Sequence, residues 1–399
     1  MERRIAPRKL ANGTGGLLGP PRPRAEATEI CCNFADCGRS ITACISVFPY
    51  VFGLLAIHLD QMTILVTGGG GYIGGHMVHA LADAGEAVVV IDDLSTGFRS
   101  ALPPSIPLFV GDAGNETLVE EIINKHGVAE IIHFAASIVV PDSVRDPLRY
   151  YRNNTMNARA LLAVAVRTGV RRFVFSSTAA VYGNPKRVPV TEADPPAPMS
   201  PYGNSKLMTE IMLKDVGAAH GLNYAILRYF NVAGADPALR TGQATVGATH
   251  LIKVAVETAL ALRPHIEIFG TDYDTPDGTC IRDYIHVTDL IGAHSAALAY
   301  LRRGGGNETF NCGYGHGYSV RQVIEAVKRV SGSDFAVRLS GRRPGDPAAI
   351  IADSARIRVT LGWAPQFDDL DTVVRHALAW ERRLAEVRSL DWSLPGGQA

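Results

Sequence analysis

Thr67-Gly68-Gly69-Gly70-Gly71-Tyr72-Ile73-Gly74 stands directly after the β-branched run Thr63–Thr67 and directly before an apolar stretch with helical spacing. Glycines at Gly68, Gly71 and Gly74 let the chain turn sharply, let a pyrophosphate approach the backbone, and let the helix pack close to the strand. The helix N-terminus then offers unpaired N–H groups and a partial positive charge. A glycine-rich turn on its own reads equally as a flexible loop. Here an acid closes the next strand: Asp92 lies 18 residues beyond Gly74, placed to accept hydrogen bonds from the adenosine ribose hydroxyls. A carboxylate there repels a 2′-phosphate, so the expected cofactor is NAD rather than NADP. Asp112 ends the third strand, where it either bonds an adenine amino group or simply starts the turn at Ala113-Gly114.

Working outward from that turn, short β-branched runs alternate with helical stretches. Strands are expected at 63–67, 87–91, 108–111, 130–135, 172–176 and 225–229, and helices at 74–84, 116–126, 146–168 and 201–220. Such alternation predicts an α/β fold, a doubly wound parallel sheet of Rossmann type covered on both faces, with the ligand at the carboxyl ends of its strands. After Gly234 the rhythm loosens, with helices expected at 250–262, 287–301 and 319–330. The reading is an NAD-binding domain over residues 62–234 and a smaller mixed α/β substrate domain over 235–392, with some elements crossing between them.

Composition narrows the function class. The chain has 399 residues, 47% hydrophobic and 20% charged, with 39 basic and 39 acidic side chains. This is an ordinary globular balance, and no net field draws the chain to nucleic acid or anionic membrane. Of the six cysteines, Cys31, Cys32, Cys37 and Cys44 crowd the first 61 residues and only Cys280 and Cys312 lie in the body. That is no disulfide framework, and the body reads as cytoplasmic. Residues 1–40 are basic and rich in Gly and Pro. Residues 41–59 are apolar and nearly long enough to span a bilayer, but contain Pro49 and Gly53. The expectation is that Met62 begins the folded protein, with a membrane anchor at 41–59 as the alternative. No metal site is expected.

Two further signals carry chemistry. Ser176-Ser177-Thr178 ends the fifth strand, where side chains point into the crevice, and Tyr202-Gly203-Asn204-Ser205-Lys206 opens the fourth helix. Tyr202 and Lys206, at i and i+4, share one helix face. A free phenol titrates near 10 and is a poor base at neutral pH. A neighbouring ammonium is worth at most about 4 kcal/mol, or roughly three pH units, at an effective dielectric near 20. With the positive nicotinamide, that is expected to bring Tyr202 close to neutrality. A Tyr and a Lys four apart usually mark a surface helix; the cofactor turn and the strand-end hydroxyl outweigh that reading here.

The chain also resembles the UDP-glucose 4-epimerases of the extended short-chain dehydrogenase/reductase family. The matching stretches are Thr67–Gly74, Tyr150-Tyr151-Arg152-Asn153-Asn154, residues 176–183, residues 200–206, Arg228-Tyr229-Phe230-Asn231, residues 277–287 and Arg342-Arg343-Pro344-Gly345-Asp346. The resemblance implies interconversion of UDP-glucose and UDP-galactose through a 4-keto intermediate, by a homodimer paired through the helices at 146–168 and 201–220. It implies Tyr202 as the base, Lys206 as its partner and Thr178 as the hydroxyl that holds the sugar. It places NAD against Tyr72, Ile73, Asp92, Asp93, Leu94, Ser95, Thr96, Gly97, Asp112, Ala113, Phe134, Ala135, Ala136, Asn153, Lys206 and Phe230. The UDP-hexose is placed against Asn231, Arg282, Arg343 and Asp346; planar guanidinium forks suit a diphosphate.

Three positions depart from the family pattern. Ile138 stands where a lysine is usual near the nicotinamide ribose, Thr249-His250 stand where two asparagines are usual, and Ile350 occupies the position that gates an N-acetyl group. His250 is also read as a cap for the helix that follows. Nucleotide-sugar dehydratases and decarboxylases carry an acid one or two positions after Thr178, where this chain has Ala179-Ala180. A non-catalytic NAD-sensing regulator would lose the Tyr or the Lys, and both are present. Epimerases of N-acetylhexosamine or pentose UDP-sugars remain alternatives, because those sugars differ at carbons away from the catalytic residues.

Overall fold

A computed structural model describes residues 62–343 and 345–389. The apolar run at 41–59 and the four N-terminal cysteines lie outside them, as do residues 390–392 of the expected second domain. Among the described residues no helix is long and apolar enough to cross a membrane. The central sheet has seven strands: β1 (Thr63–Thr67), β2 (Val88–Asp92), β3 (Leu108–Val110), β4 (Val128–His133), β5 (Arg172–Ser176), β6 (Asn223–Tyr229) and β7 (Glu308–Cys312). Their spatial order is β7-β6-β5-β4-β1-β2-β3 and every pairing is parallel. The order reverses between β1 and β4, which opens a crevice at their carboxyl ends.

The period-2 alternation of side chains divides each strand between two cores. Ile64, Val66, Val88, Val90, Ile132, Val174, Leu227 and Phe310 pack on one face with helix α1 (Tyr72–Asp83) and with Val287–Arg302. Leu65, Val89, Ile91, Ile131, Phe173, Phe175 and Ile226 pack on the other, against α2 (Glu116–His126), α3 (Asn157–Arg167) and α4 (Pro201–His220). With both faces covered, the strands read as unbroken apolar runs, and each buried Val, Ile, Leu or Phe contributes about 1.5–3 kcal/mol.

Residues beyond Gly234 follow two courses. Helix α5 (Leu251–Ala259) and the later α7 (Val320–Ser331) and α8 (Leu370–Ser389) share a core of their own with Ile266, Ile268, Tyr284 and Phe335. Between them, α6 (Val287–Arg302) and β7 return to the large sheet. The helix expected at 146–168 is not continuous: Pro147–Tyr150 passes into a π-helical turn at Tyr151–Met156 before α3 begins. Such wide turns are rare and gather at functional sites. This one carries Asn153 and Asn154, whose side chains bond Ser137 beyond β4.

Candidate active site

The glycine turn is fixed by lack of room. Gly68 has φ of +71°, and a Cβ there would lie 2.6 Å from the Ala135 nitrogen; a Cβ on Gly74 would lie 2.1 Å from the Gly68 carbonyl oxygen. At Gly71 the same test gives 3.3 Å to that oxygen. The first turn of α1 therefore sits directly on the end of β1, with Tyr72 and Ile73 presenting the helix N-terminus. The Tyr72 hydroxyl donates to the Gly234 carbonyl at 2.7 Å, tying that terminus to the segment after β6.

Asp92 is the last residue of β2 and is buried. Its carboxylate accepts from the main-chain N–H of Gly70 and of Leu94, each at 2.8 Å. Burial raises its pKa and those two donors oppose the rise. The loop beyond is equally organised: Asp93 Oδ1 accepts from the Ser95 N–H and hydroxyl, Thr96 is exposed, and a Cβ on Gly97 would meet the Gly70 carbonyl carbon at 2.7 Å. Asp112 uses Oδ1 to accept from Gly114 N–H and from Asn157 Nδ2, at 2.8 and 2.7 Å, so it does start a turn. Ala113 behind it is buried. Phe134, Ala135 and Ala136 follow β4 and are half-buried. Asn153 donates to the Ser137 hydroxyl at 3.0 Å, and Phe230 is buried between β6 and the next strand. The cradle that admits no Cβ, the helix N-terminus and the fixed carboxylate fit a dinucleotide, and these residues would hold it.

Tyr202, Lys206 and Thr178 come together. Helix α4 is started by Ser200, whose hydroxyl accepts from Gly203 N–H, and by Pro201 in its first turn. Gly203 lets the helix approach the turn at Ala179–Tyr182, since a Cβ there would lie 2.7 Å from the Ala180 carbonyl oxygen. Lys206 is buried, donates from Nζ to the Ser176 carbonyl at 2.9 Å, and lies 5.0 Å above the Phe175 ring. Burial pushes its pKa down to about 7, and Glu210 acts the other way. Tyr202 does not move toward neutrality in the protein alone. Burial raises its pKa, with a hydrogen bond from Thr178 opposing. The expected ammonium effect loses because the same dry pocket disfavours both charged forms.

Beneath Lys206 lies His133, which sequence reading missed. Its ring stacks on Phe175, Nδ1 shares a 2.7 Å hydrogen bond with the Thr67 hydroxyl, and burial with the nearby lysine lowers its pKa to about 3. It is a neutral spacer at the switch point.

At the far end of the crevice, Arg282 and Arg343 both face Asp346, at 3.6 and 3.3 Å. Arg343 also lies over the Phe269 ring at 4.4 Å. Asn231 begins the strand Asn231–Ala233, which pairs with Tyr284–His286; burial raises the pKa of Tyr284, and Arg282 and Asn231 oppose the rise. Of the departures, Ile138 is exposed, so no cation stands there. His250 occupies the N-cap position of α5 but makes no capping bond from its side chain; its Nδ1 pairs with the Gln243 amide at 2.8 Å instead. Ile350 is buried beside Ala179, Tyr182 and Phe230. No cluster of residues suited to a metal ion occurs among the described residues.

Residues 64–313 match the model of the NAD dependent epimerase/dehydratase family. A UDP-glucose 4-epimerase of Azospirillum brasilense is 58% identical over 336 residues, 84% of this chain and 96% of that protein. The UDP-glucose 4-epimerase of Brucella ovis in complex with NAD has a TM-score of 0.77 at 43% identity, covering 80% of this chain and 98% of that one. The Bifidobacterium longum enzyme in complex with NAD+ and UDP has a TM-score of 0.77 at 35% identity, covering 81% and 98%. The chain belongs to the NAD dependent epimerase/dehydratase family.

Proposed function

We propose that this chain interconverts UDP-glucose and UDP-galactose by oxidising and re-reducing carbon 4 of the hexose through a 4-keto sugar. The observation that carries this reading is the gathering of Tyr202, Lys206 and Thr178 at the end of β5, beside the glycine turn. Bound NAD supplies the hydride acceptor and donor, together with a positive charge. Tyr202 takes and returns the 4-hydroxyl proton, and Thr178 holds that hydroxyl. Lys206, its pKa lowered by burial to about 7, works with the cofactor's charge to lower the phenol against its burial. The turn after Thr178 begins Ala179-Ala180, with no second acid to shuttle a proton for elimination or decarboxylation. Arg282, Arg343 and Asn231 hold the UDP end while the hexose turns about the diphosphate. Tyr202→Phe should keep NAD and lose turnover by about two to four orders of magnitude. Near-normal turnover in that variant overturns the assignment.

We also propose a homodimer. On the first of the two helices named for its face, Ala160, Leu161, Leu162, Val164 and Ala165 are spent inside the subunit. Support comes instead from Leu148, Met156, Met208 and Ile211, which stand exposed on the 147–156 segment and α4. Light scattering that gives the mass of one chain at micromolar concentration refutes pairing. Cys280 and Cys312, both free and buried, support a reducing, cytoplasmic setting.

A further inference from the structure

Three residues on one face of α4, Tyr202, Lys206 and Glu210, reach three consecutive residues at the end of β5. Thr178 lies beside Tyr202 and opposes the rise that burial gives its pKa, the Ser176 carbonyl accepts from Lys206 at 2.9 Å, and the Ser177 hydroxyl donates to Glu210 Oε1 at 2.6 Å. Glu210 is wholly buried and its charge is met by the buried Arg228 of β6, whose Nε donates to both carboxylate oxygens at 3.0 and 3.2 Å and whose Nη2 donates to Oε2 at 2.5 Å. Arg228 Nη1 in turn donates to the Tyr182 hydroxyl at 2.9 Å, and that hydroxyl donates to Asn311 Oδ1 of β7 at 2.6 Å. One chain of polar contacts thus joins α4, β5, β6, β7 and the turn after Thr178.

A buried ion pair is a poor way to stabilise a core that apolar residues of the same volume would fill, so its place here points to positioning. We infer that Glu210 is a positioning residue for the reaction proposed above: it pins the strand end that carries Thr178 and faces Lys206 with a fixed negative charge. The inference rests on that functional reading. Around Lys206 are His133 from β4, the Phe175 ring and Ser176 carbonyl of β5, and Tyr202 and Glu210 one turn to either side on its own helix. His133 is neutral and Lys206 Nζ itself bonds the Ser176 carbonyl, so Glu210, though paired with Arg228, is the group whose charge favours the ammonium. Burial lowers the pKa of Lys206 to about 7, and Glu210 opposes that fall.

The test reads Lys206 directly. The chain has seven lysines, so lysine labelled with 13C at Cε gives few NMR signals, and Lys206→Arg identifies one of them. In the NAD-loaded wild-type protein that signal is followed against pH. Glu210→Gln should lower its midpoint by about one pH unit, the low end of what a neighbouring opposite charge does, whereas Glu210→Asp should leave it near the wild-type value. A second variant, Ser177→Ala, removes the pin and leaves the charge; kcat should fall about tenfold with KM for the UDP-sugar and NAD content unchanged. An unmoved midpoint in folded Glu210→Gln, or wild-type kcat in Ser177→Ala, overturns the proposal. Should Glu210→Gln fail to fold, Ser177→Ala decides. A wild-type protein inactive on every UDP-sugar would instead overturn the functional reading, and the titration would still report whether Glu210 faces Lys206.

Discussion

At the glycine turn the groups that face the crevice belong to the main chain or are locked to it. At the opposite end they are long side chains on irregular segments. Gly68 and Gly74 have no space for a methyl group, and Asp92 is held by two N–H donors before any ligand arrives. Arg282 and Arg343 share one carboxylate, Asp346, and Arg343 keeps nearly half of its side chain in solvent. The first arrangement loses little entropy on binding and suits a cofactor that stays. The second gives up side-chain freedom at each encounter and suits a substrate that must enter, turn and leave. Breaking each end should therefore fail in a different way.

The largest effect is expected at Gly74. Alanine there forces the first turn of α1 away from β1, because its Cβ would stand 2.1 Å from the Gly68 carbonyl oxygen. Overpacking of this kind costs about 3 kcal/mol. Gly74→Ala should lower the thermal midpoint and emerge from purification without NAD, measured as nucleotide released on denaturation. Retention of stoichiometric NAD would show that the cradle is less rigid than its geometry implies.

Arg343→Ala should act at the other end and more mildly. Charge-assisted hydrogen bonds contribute about 1.5–3 kcal/mol, so KM for the UDP-sugar should rise roughly 10- to 100-fold. NAD content and thermal midpoint should stay at wild-type values, since this side chain supports little of the fold. A KM that does not change would remove Arg343 from the diphosphate site and leave Arg282 as its anchor.

The same contrast explains what could be read from sequence. The cofactor end is local: strand, turn, helix and Asp92 fall within thirty residues (63–92), so residue type and spacing nearly determine the geometry. Tyr202 and Lys206 were legible because i, i+4 is itself a spatial relation. The π turn at Tyr151–Met156 was not, because the apolar period runs through it and its use shows in the bonds of Asn153, Asn154 and Thr155 to Ser137 and Ser205. Glu210 looked like an ordinary polar position on a helix; its partners Ser177, Arg228 and, through Tyr182, Asn311 lie on three different strands or strand ends. Its spacing was the available signal, since it repeats the i+4 step from Lys206. That some elements cross between the two halves was legible, but not which: α6 and β7 return to the large sheet because β6 offers an edge to a segment some eighty residues away.

The smallest effect, and the finest probe of the comparison, is Asp92→Asn. The amide keeps the shape and one acceptor oxygen, so one of the two N–H groups, of Gly70 or of Leu94, loses its partner. That should cost about 1 kcal/mol, the lower end for a buried donor left unsatisfied. More informative is the change of charge. If the carboxylate sets cofactor choice by repelling a 2′-phosphate, its neutralisation should narrow the ratio of NAD to NADP affinity by about tenfold, or about 1.4 kcal/mol, while KM for the UDP-sugar stays fixed. If the ratio is unchanged, discrimination lies in the shape of the Asp93–Gly97 loop, which the Asp93 and Ser95 bonds hold close to Gly70. The cofactor end would then be specific through its backbone alone, and the difference between the two ends would be sharper than the charges suggest.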